Sequence, residues 1–286
     1  MIKEIIDKLV ALLAVSALLA SCSESELWQN PQTEARDGYI MLNFKTEIPA
    51  MQEVVTRAVD PDGGGVQDMT LFCFDSYGLF ISTVKAGVTV QKPGPGEMEG
   101  TFKAEVPENT RTIHFLANQN MDEFKEDSFR NKSESEVMAV LEGSSGRMIY
   151  WGRFACDAGN DSNIAEQMAT SGNSVKLIRN HARISVDNPD NNGHIVITGF
   201  AVCNTNAFGT VAPHHPKKGF DFTWPSSDDP FVTLPVNDAK MSDITDVTSS
   251  MNQYVFECEN SADAPVSVIL RGHLPDQDEE KYYRVL

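Results

Sequence analysis

The sequence predicts an all-β fold with one or two short helices, arranged as two tandem β-sandwich domains. Three observations predict it. Runs rich in Val, Ile, Phe, Tyr and Thr recur at short spacing from Gly38 to the end of the chain, and such residues suit a pleated, half-buried surface. Asp-Pro, Asp-Gly, Asn-Gly and consecutive glycines separate these runs and interrupt regular structure. A single stretch carries a helical pattern, and many strands with few helices argue for packed sheets. At 286 residues the chain exceeds the usual domain of about 100–150 residues, so two domains are expected.

Residues 1–21 read as a secretory signal. Lys3 and Lys8 form a charged start that Glu4 and Asp7 dilute, and Leu9–Ala20 is apolar apart from Ser16. A helix of that length rises only about 18 Å, too short for a bilayer core of about 30 Å. Residues 22–37, beginning SESELWQNPQ after Cys22, are polar and read as a tether.

The first domain is expected over residues 38–185. GYIMLNFKTEI (Gly38–Ile48) is a strand that places Ile40, Leu42 and Phe44 on one face. VDPDGGGVQD (Val59–Asp68) is a flexible break. MTLFCFDSYGLFISTV (Met69–Val84) reads as two strands around a turn at Asp75–Gly78. GTFKAEVP (Gly100–Pro107), TRTIHFLANQ (Thr110–Gln119) and RMIYWGRF (Arg147–Phe154) continue the series. The helix is SESEVMAVLEG (Ser133–Gly143). Ser133 with Glu136 forms a capping-box pattern, Val137, Met138, Val140 and Leu141 give an apolar side, and Gly143 is its stop. This helix should cover part of the first sandwich.

SVKLIRNHARISVDN (Ser174–Asn188) is either the last strand of one domain or a bridge into the next. Turn-formers cluster in Val186–Gly193, so the second domain is expected over 186–286. Its strands are HIVITGFAVCNT (His194–Thr205), NQYVFECEN (Asn252–Asn260) and VSVILRGHL (Val266–Leu274). KYYRVL (Lys281–Leu286) alternates like a strand and reads as one cut short, so the second domain is expected to be incomplete.

The formal charge is −18, and it is unchanged by loss of residues 1–21, which carry two basic and two acidic side chains. Such a chain repels nucleic acid and anionic membrane surfaces, so nucleic acid is excluded as a partner. Of five cysteines, Cys73, Cys156, Cys203 and Cys258 lie after residue 22, widely spaced and without C-x-x-C. Export permits disulfides, but four cysteines allow three pairings and the sequence does not choose. Cys73 and Cys203 sit in apolar strand runs that suit buried free thiols.

No metal or cofactor is implied, and no catalytic constellation is found. His214-His215 is the one close histidine pair, without H-E-x-x-H, and reads as a polar loop tip. His114 alternates with apolar neighbours and reads as a strand residue with a satisfied hydrogen bond. Asp187–Gly193 fails the calcium-loop pattern, because Pro189 holds the third position and the glycine falls seventh. Asp157–Asn163 is read as a loop. There is no G-x-S-x-G, phosphate loop or dinucleotide fingerprint, so the protein is expected not to be an enzyme.

Leu19-Ala20-Ser21-Cys22 resembles the bacterial lipobox. The resemblance implies that the Cys22 sulfur receives a diacylglycerol, that the signal is cut before it, and that the new amine is acylated. A small-residue cut site and a nucleophilic thiol suit that chemistry. With the lipobox, several further stretches resemble the fimbrillin family, the subunits of lipoprotein-derived (type V) pili on the outer membrane of Gram-negative anaerobes. They are GYIMLNF, VVTRAVD (Val54–Asp60), MTLFCFDSYGLFI, VPENTRTIHFLANQN (Val106–Asn120) and MIYWGRF. NHARISV, GFAVCNTNAFGTVAP (Gly199–Pro213) and KYYRV resemble a fimbrillin-like branch with a longer C-terminal half.

The resemblance implies two transthyretin-like β-sandwich domains and a lipid-anchored surface precursor that becomes part of a fimbria. An arginine-specific protease would cut between Arg57 and Ala58, removing the strand Tyr39, Ile40, Met41, Leu42, Asn43 and Phe44. A strand from the next subunit would then fill the groove by β-strand addition. The partners implied are other pilus subunits, the protease, and the outer membrane through the anchor. Arg36 is the alternative cut site, but it precedes the strand, so cutting there opens no groove. The competing function is an outer-membrane glycan-binding lipoprotein of a nutrient-uptake system. Glycan sites favour exposed aromatics, and the chain has three tryptophans, Trp28, Trp151 and Trp224, with Trp151 in a strand run.

Overall fold

A computed structural model describes residues 35–48, 66–93, 98–143, 148–186, 195–206, 208–215, 218–223, 245–246, 252–258, 262 and 265–285. The fold is all-β, as the sequence predicts. The N-terminal strands are β1 (Tyr39–Glu47), β2 (Met69–Phe74), β3 (Phe80–Pro93), β4 (Met98–Pro107), β5 (Thr112–Ala117), β6 (Glu142–Gly143), β7 (Tyr150–Ala155), β8 (Ser174–Lys176) and β9 (Ile178–Arg179). Two short helices accompany them, α1 (Glu134–Met138) and α2 (Ile164–Thr170).

Hydrogen bonding runs through these strands in the order β8-β1-β4-β3-β2-β5-β7-β9. Two strand segments carry the chain between the layers. β3 pairs with β2 over Phe80–Ala86 and with β4 over Gly87–Pro93, with a register shift between Val88 and Val90. Such an irregularity bends a strand and lets it change sheets. At the other end, β8 runs parallel to β1 while β9, after the buried Leu177, pairs antiparallel with β7. The Ser174–Asn188 stretch is thus divided among three pairings, because β10 (Ala182–Ser185) pairs with β16 (Asn252–Val255).

β2 and β5 are buried at all six positions each. Leu71, Cys73, Ile113 and Phe115 face Ile40, Leu42, Phe44, Phe102, Ala104 and Val106 of the opposing layer. Phe72, Phe74, Leu116 and Trp151 face outward, beneath Val137 and Met138 of α1 and beneath Val211 and Ala212. Cover on both faces explains why these strands read as continuous apolar runs rather than alternating ones. The β2–β3 turn sits where the sequence places it. The Asp75 carboxylate accepts hydrogen bonds from the Tyr77 and Leu79 amides at 2.8 and 2.9 Å.

The later strands are β11 (Val196–Cys203), β12 (Gly209–Thr210), β13 (His214–His215), β14 (Gly219–Phe220), β15 (Thr245–Asp246), β17 (Ser267–His273) and β18 (Lys281–Val285). β15-β11-β17-β18 form a sheet, β13 pairs with β14, and β12 pairs with β6.

Two local expectations need correction. α1 begins as expected, with the reciprocal Ser133–Glu136 capping box, but ends at Met138 rather than near Gly143. Glu142–Gly143 instead pairs with Gly209–Thr210. Side chains at Gly143 and Gly209 would collide with Phe256, at 3.0 and 2.2 Å from the Cβ positions. Asp157–Asn163 is a loop, as expected, and it leads into α2, whose capping box is Asn163 with Glu166. His214 is no loop tip: it lies in β13, nearly buried, with its ring against Phe220 at 4.9 Å.

Candidate functional site

β1 is the candidate site, because strand removal would act on it. Its backbone pairs antiparallel with β4 over eight positions, Tyr39↔Pro107 to Thr46↔Gly100. β8 adds three parallel pairs at Lys45–Glu47. The face read from the sequence is the buried one: Ile40 is 6% exposed, Leu42 1% and Phe44 0%. Phe44 stacks on Phe102 at 5.5 Å and meets Phe115 edge-on at 5.0 Å. Tyr39 is exposed and Asn43 half-buried, while Met41 is buried on the opposite face, which the sequence did not indicate. Burying Ile, Leu and Phe is worth about 1.5–3 kcal/mol each. Loss of β1 would therefore open an apolar groove and free the β4 ladder groups. Cys22, Arg57 and Ala58 lie outside the described residues.

At the entry to β1 the chain makes a turn that sequence reasoning passed over. The Arg36 carbonyl accepts the Tyr39 amide at 3.0 Å, and the Gly38 carbonyl accepts the Glu108 amide at 2.9 Å. Gly38 takes φ +78°, a conformation that glycine reaches without a steric penalty. The Arg36 guanidinium donates Nε–H to Glu105 Oε2 at 2.7 Å and lies over the Tyr39 ring at 4.4 Å.

The outer face of the β2–β5–β7 layer holds a buried polar network. The Trp151 indole N–H donates to His114 Nδ1 at 3.0 Å, so Nδ1 is unprotonated and the ring proton sits on Nε2. Nε2–H donates to Glu134 Oε2 at 2.6 Å. Arg153 holds the same carboxylate from two nitrogens, at 2.7 and 3.1 Å. Burial lowers the His114 pKa; the hydrogen bond and the charge of Glu134 oppose that and are outweighed. Burial alone would raise Glu134, but hydrogen bonds from His114 and Arg153, with the Arg153 charge, hold it down at about 2. Both ring nitrogens of His114 are thus engaged, in agreement with the satisfied strand histidine expected.

Trp151 is buried at 1% exposure, which removes it as a glycan platform; Trp28 and Trp224 lie outside the described residues. Cys73, Cys156, Cys203 and Cys258 are free thiols, with Cys73 and Cys203 buried. Burial pushes the Cys73 thiol up to about 12, far from a reactive thiolate. His181 donates from Nδ1 to Asn180 Oδ1 at 2.7 Å and is brought down to about 4 by burial. Among the described residues no three His, Cys, Asp or Glu side chains gather to hold a metal ion, and no helix is long and apolar enough to cross a membrane.

The sequence matches no protein-family model and no curated protein. Solved structures do match. A candidate cell adhesion protein from Parabacteroides distasonis ATCC 8503 aligns over 85% of this chain and 78% of its own, with 14% identity and a TM-score of 0.52. A second candidate cell adhesion protein from the same organism aligns over 85% and 84%, with 11% identity and a TM-score of 0.41. The fimbrial anchor protein Mfa2 from Porphyromonas gingivalis aligns over 86% and 82%, with 12% identity and a TM-score of 0.29. The first of these carries the comparison, and what it shows is a shared all-β fold along most of both chains.

Proposed function

We propose that the protein is a cell-surface fimbrial subunit or adhesin-like lipoprotein of the fimbrillin type, anchored in the outer membrane through Cys22 and assembled by β-strand addition. The fold likeness to a candidate cell adhesion protein supports the surface role, and the lipobox resemblance supports the anchor. The observation that carries the reading is β1 itself. One short strand supplies Ile40, Leu42 and Phe44 to the core, and Arg57 lies in the connection that follows it, before β2. Cutting between Arg57 and Ala58 would free β1 from the rest of the chain and leave a groove shaped for another strand. In this reading residues 38–185 form the unit that loses β1, and residues 186–286 form a second unit.

Mass spectrometry of the protein recovered from cells tests this directly. A precursor N-terminus at lipidated Cys22 and a mature one at Ala58 are expected. Arg57→Ala should stay full-length and fail to enter oligomers, and Cys22→Ser should lose lipid labelling. Assembly of Arg57→Ala at the parent level would end the strand-removal reading.

A further inference from the structure

The geometry points to Arg36–Asp37 as a masked cleavage site, closed while β1 is docked and opened when β1 leaves. A protease that reads arginine needs four things from the chain. The guanidinium must enter its pocket, the arginine carbonyl must reach the oxyanion donors, the next residues must extend, and the segment must be free to move. The Arg36 side chain is 68% exposed, but contacts oppose each of the four. Its guanidinium is engaged by Glu105 and by the Tyr39 ring. Its carbonyl, the atom to be attacked, accepts the Tyr39 amide inside the turn. The Gly38 carbonyl, two residues beyond the arginine, is held by Glu108. Extending the chain further would pull Tyr39 and Ile40 from Pro107 and Val106, and Ile40 from the core.

Every one of these restraints comes from β4, from the residues just after it, or from β1 itself. The contacts with Glu105, Glu108, Pro107 and Val106 are lost when β1 detaches, and the Arg36–Tyr39 turn and ring contact, which are local, are then held by nothing outside the segment. The turn therefore couples cleavage at Arg36 to the docking of the strand. On the strand-removal reading above, it would also set an order: the precursor keeps its tether intact at Arg36, and the released segment becomes cleavable there only afterwards. The masking itself rests on the geometry of Arg36 alone.

The test treats the full-length chain with a low dose of an arginine-specific endoprotease and follows the Arg36–Asp37 and Arg57–Ala58 bonds separately by mass spectrometry. A synthetic peptide spanning residues 33–42 is the unmasked reference. The peptide should be cut about a hundredfold or more faster than the same bond in the folded chain, since cleavage of the latter awaits local opening. Glu105→Gln should speed Arg36 cleavage by about two- to fivefold, the scale of an exposed ion pair. Phe44→Ala, which loosens β1, should speed it by about tenfold or more. Cutting after Arg153, within β7, reports global unfolding, so a Phe44→Ala chain that has simply unfolded is recognised. A folded-chain rate within about threefold of the peptide's, or a Glu105→Gln rate equal to the parent's, would overturn the masking. Failure of cleavage at Arg57 with Arg36 still protected would instead count against the strand-removal reading and leave the masking standing.

Discussion

β5 and β18 are both short strands rich in aromatic and aliphatic residues, and their fates are opposite. Thr112–Ala117 is buried at every position. Lys281–Val285 is exposed at every position, with Tyr282 at 59% and Val285 at 52%. Lys281 and Arg284 favour exposure of β18, but Tyr282, Tyr283 and Val285 do not. β5 lies between β2 and β7, with β1 and β4 over one face and α1 over the other. β18 pairs with β17 at the margin of its sheet. Strand composition reports a capacity for burial, and neighbours decide whether it is used.

The comparison breaks most sharply in the core. Phe115→Ala removes a ring that meets Phe44 edge-on in the closed interior, and a loss of about 3–5 kcal/mol is expected in denaturant unfolding. A loss under about 1 kcal/mol would mean that the two layers are not packed as described.

The outer network should come next. Trp151→Phe keeps the ring contacts but removes the donor to His114 Nδ1, leaving a buried acceptor unpaired at a cost of about 1–3 kcal/mol. The same network sets the response to acid. Both groups have folded pKa values below their ordinary ones, so the unfolded chain takes up protons first and stability falls as pH falls. For His114 the loss begins below the ordinary value of 6.5. For Glu134 it runs from 4.5 down to about 2. Unfolding measured between pH 8 and 2 should show this decline, and Glu134→Gln should flatten its lower part. A variant as steep as the parent below pH 4.5 would place the acid sensitivity elsewhere.

A smaller effect is expected where the helix begins. Ser133→Ala removes the side chain that caps α1, with a loss of about 0.5–2 kcal/mol by the same unfolding measurement. The smallest belongs to β18. Tyr282→Ala should change stability by no more than about 0.5 kcal/mol, because a side chain already in water loses little when shortened. A loss of 2 kcal/mol there would mean that β18 is covered in solution and would dissolve the contrast with β5.

Much of this was legible in residues alone. Period-two alternation placed Ile40, Leu42 and Phe44 on one face, because strand geometry leaves no other choice. The Ser133–Glu136 spacing located the start of α1, since a capping box is made within one turn. The Asn163–Glu166 box was equally present before Ile164, and composition around it hid the signal. Other features were not legible because their partners lie far along the chain. α1 stops early because Gly143 pairs with Gly209, and the tautomer of His114 depends on Trp151, 37 residues on. The switch of β3 between layers and the Arg36–Glu105 contact, which spans 69 residues, are of the same kind. By itself the sequence determined the local terms, namely strand character, face, turn chemistry and helix starts, since each is settled within a few residues. Tertiary structure alone decided which strands are covered, where α1 ends and which polar groups meet, because burial and pairing are properties of neighbours that the chain must first fold to bring together.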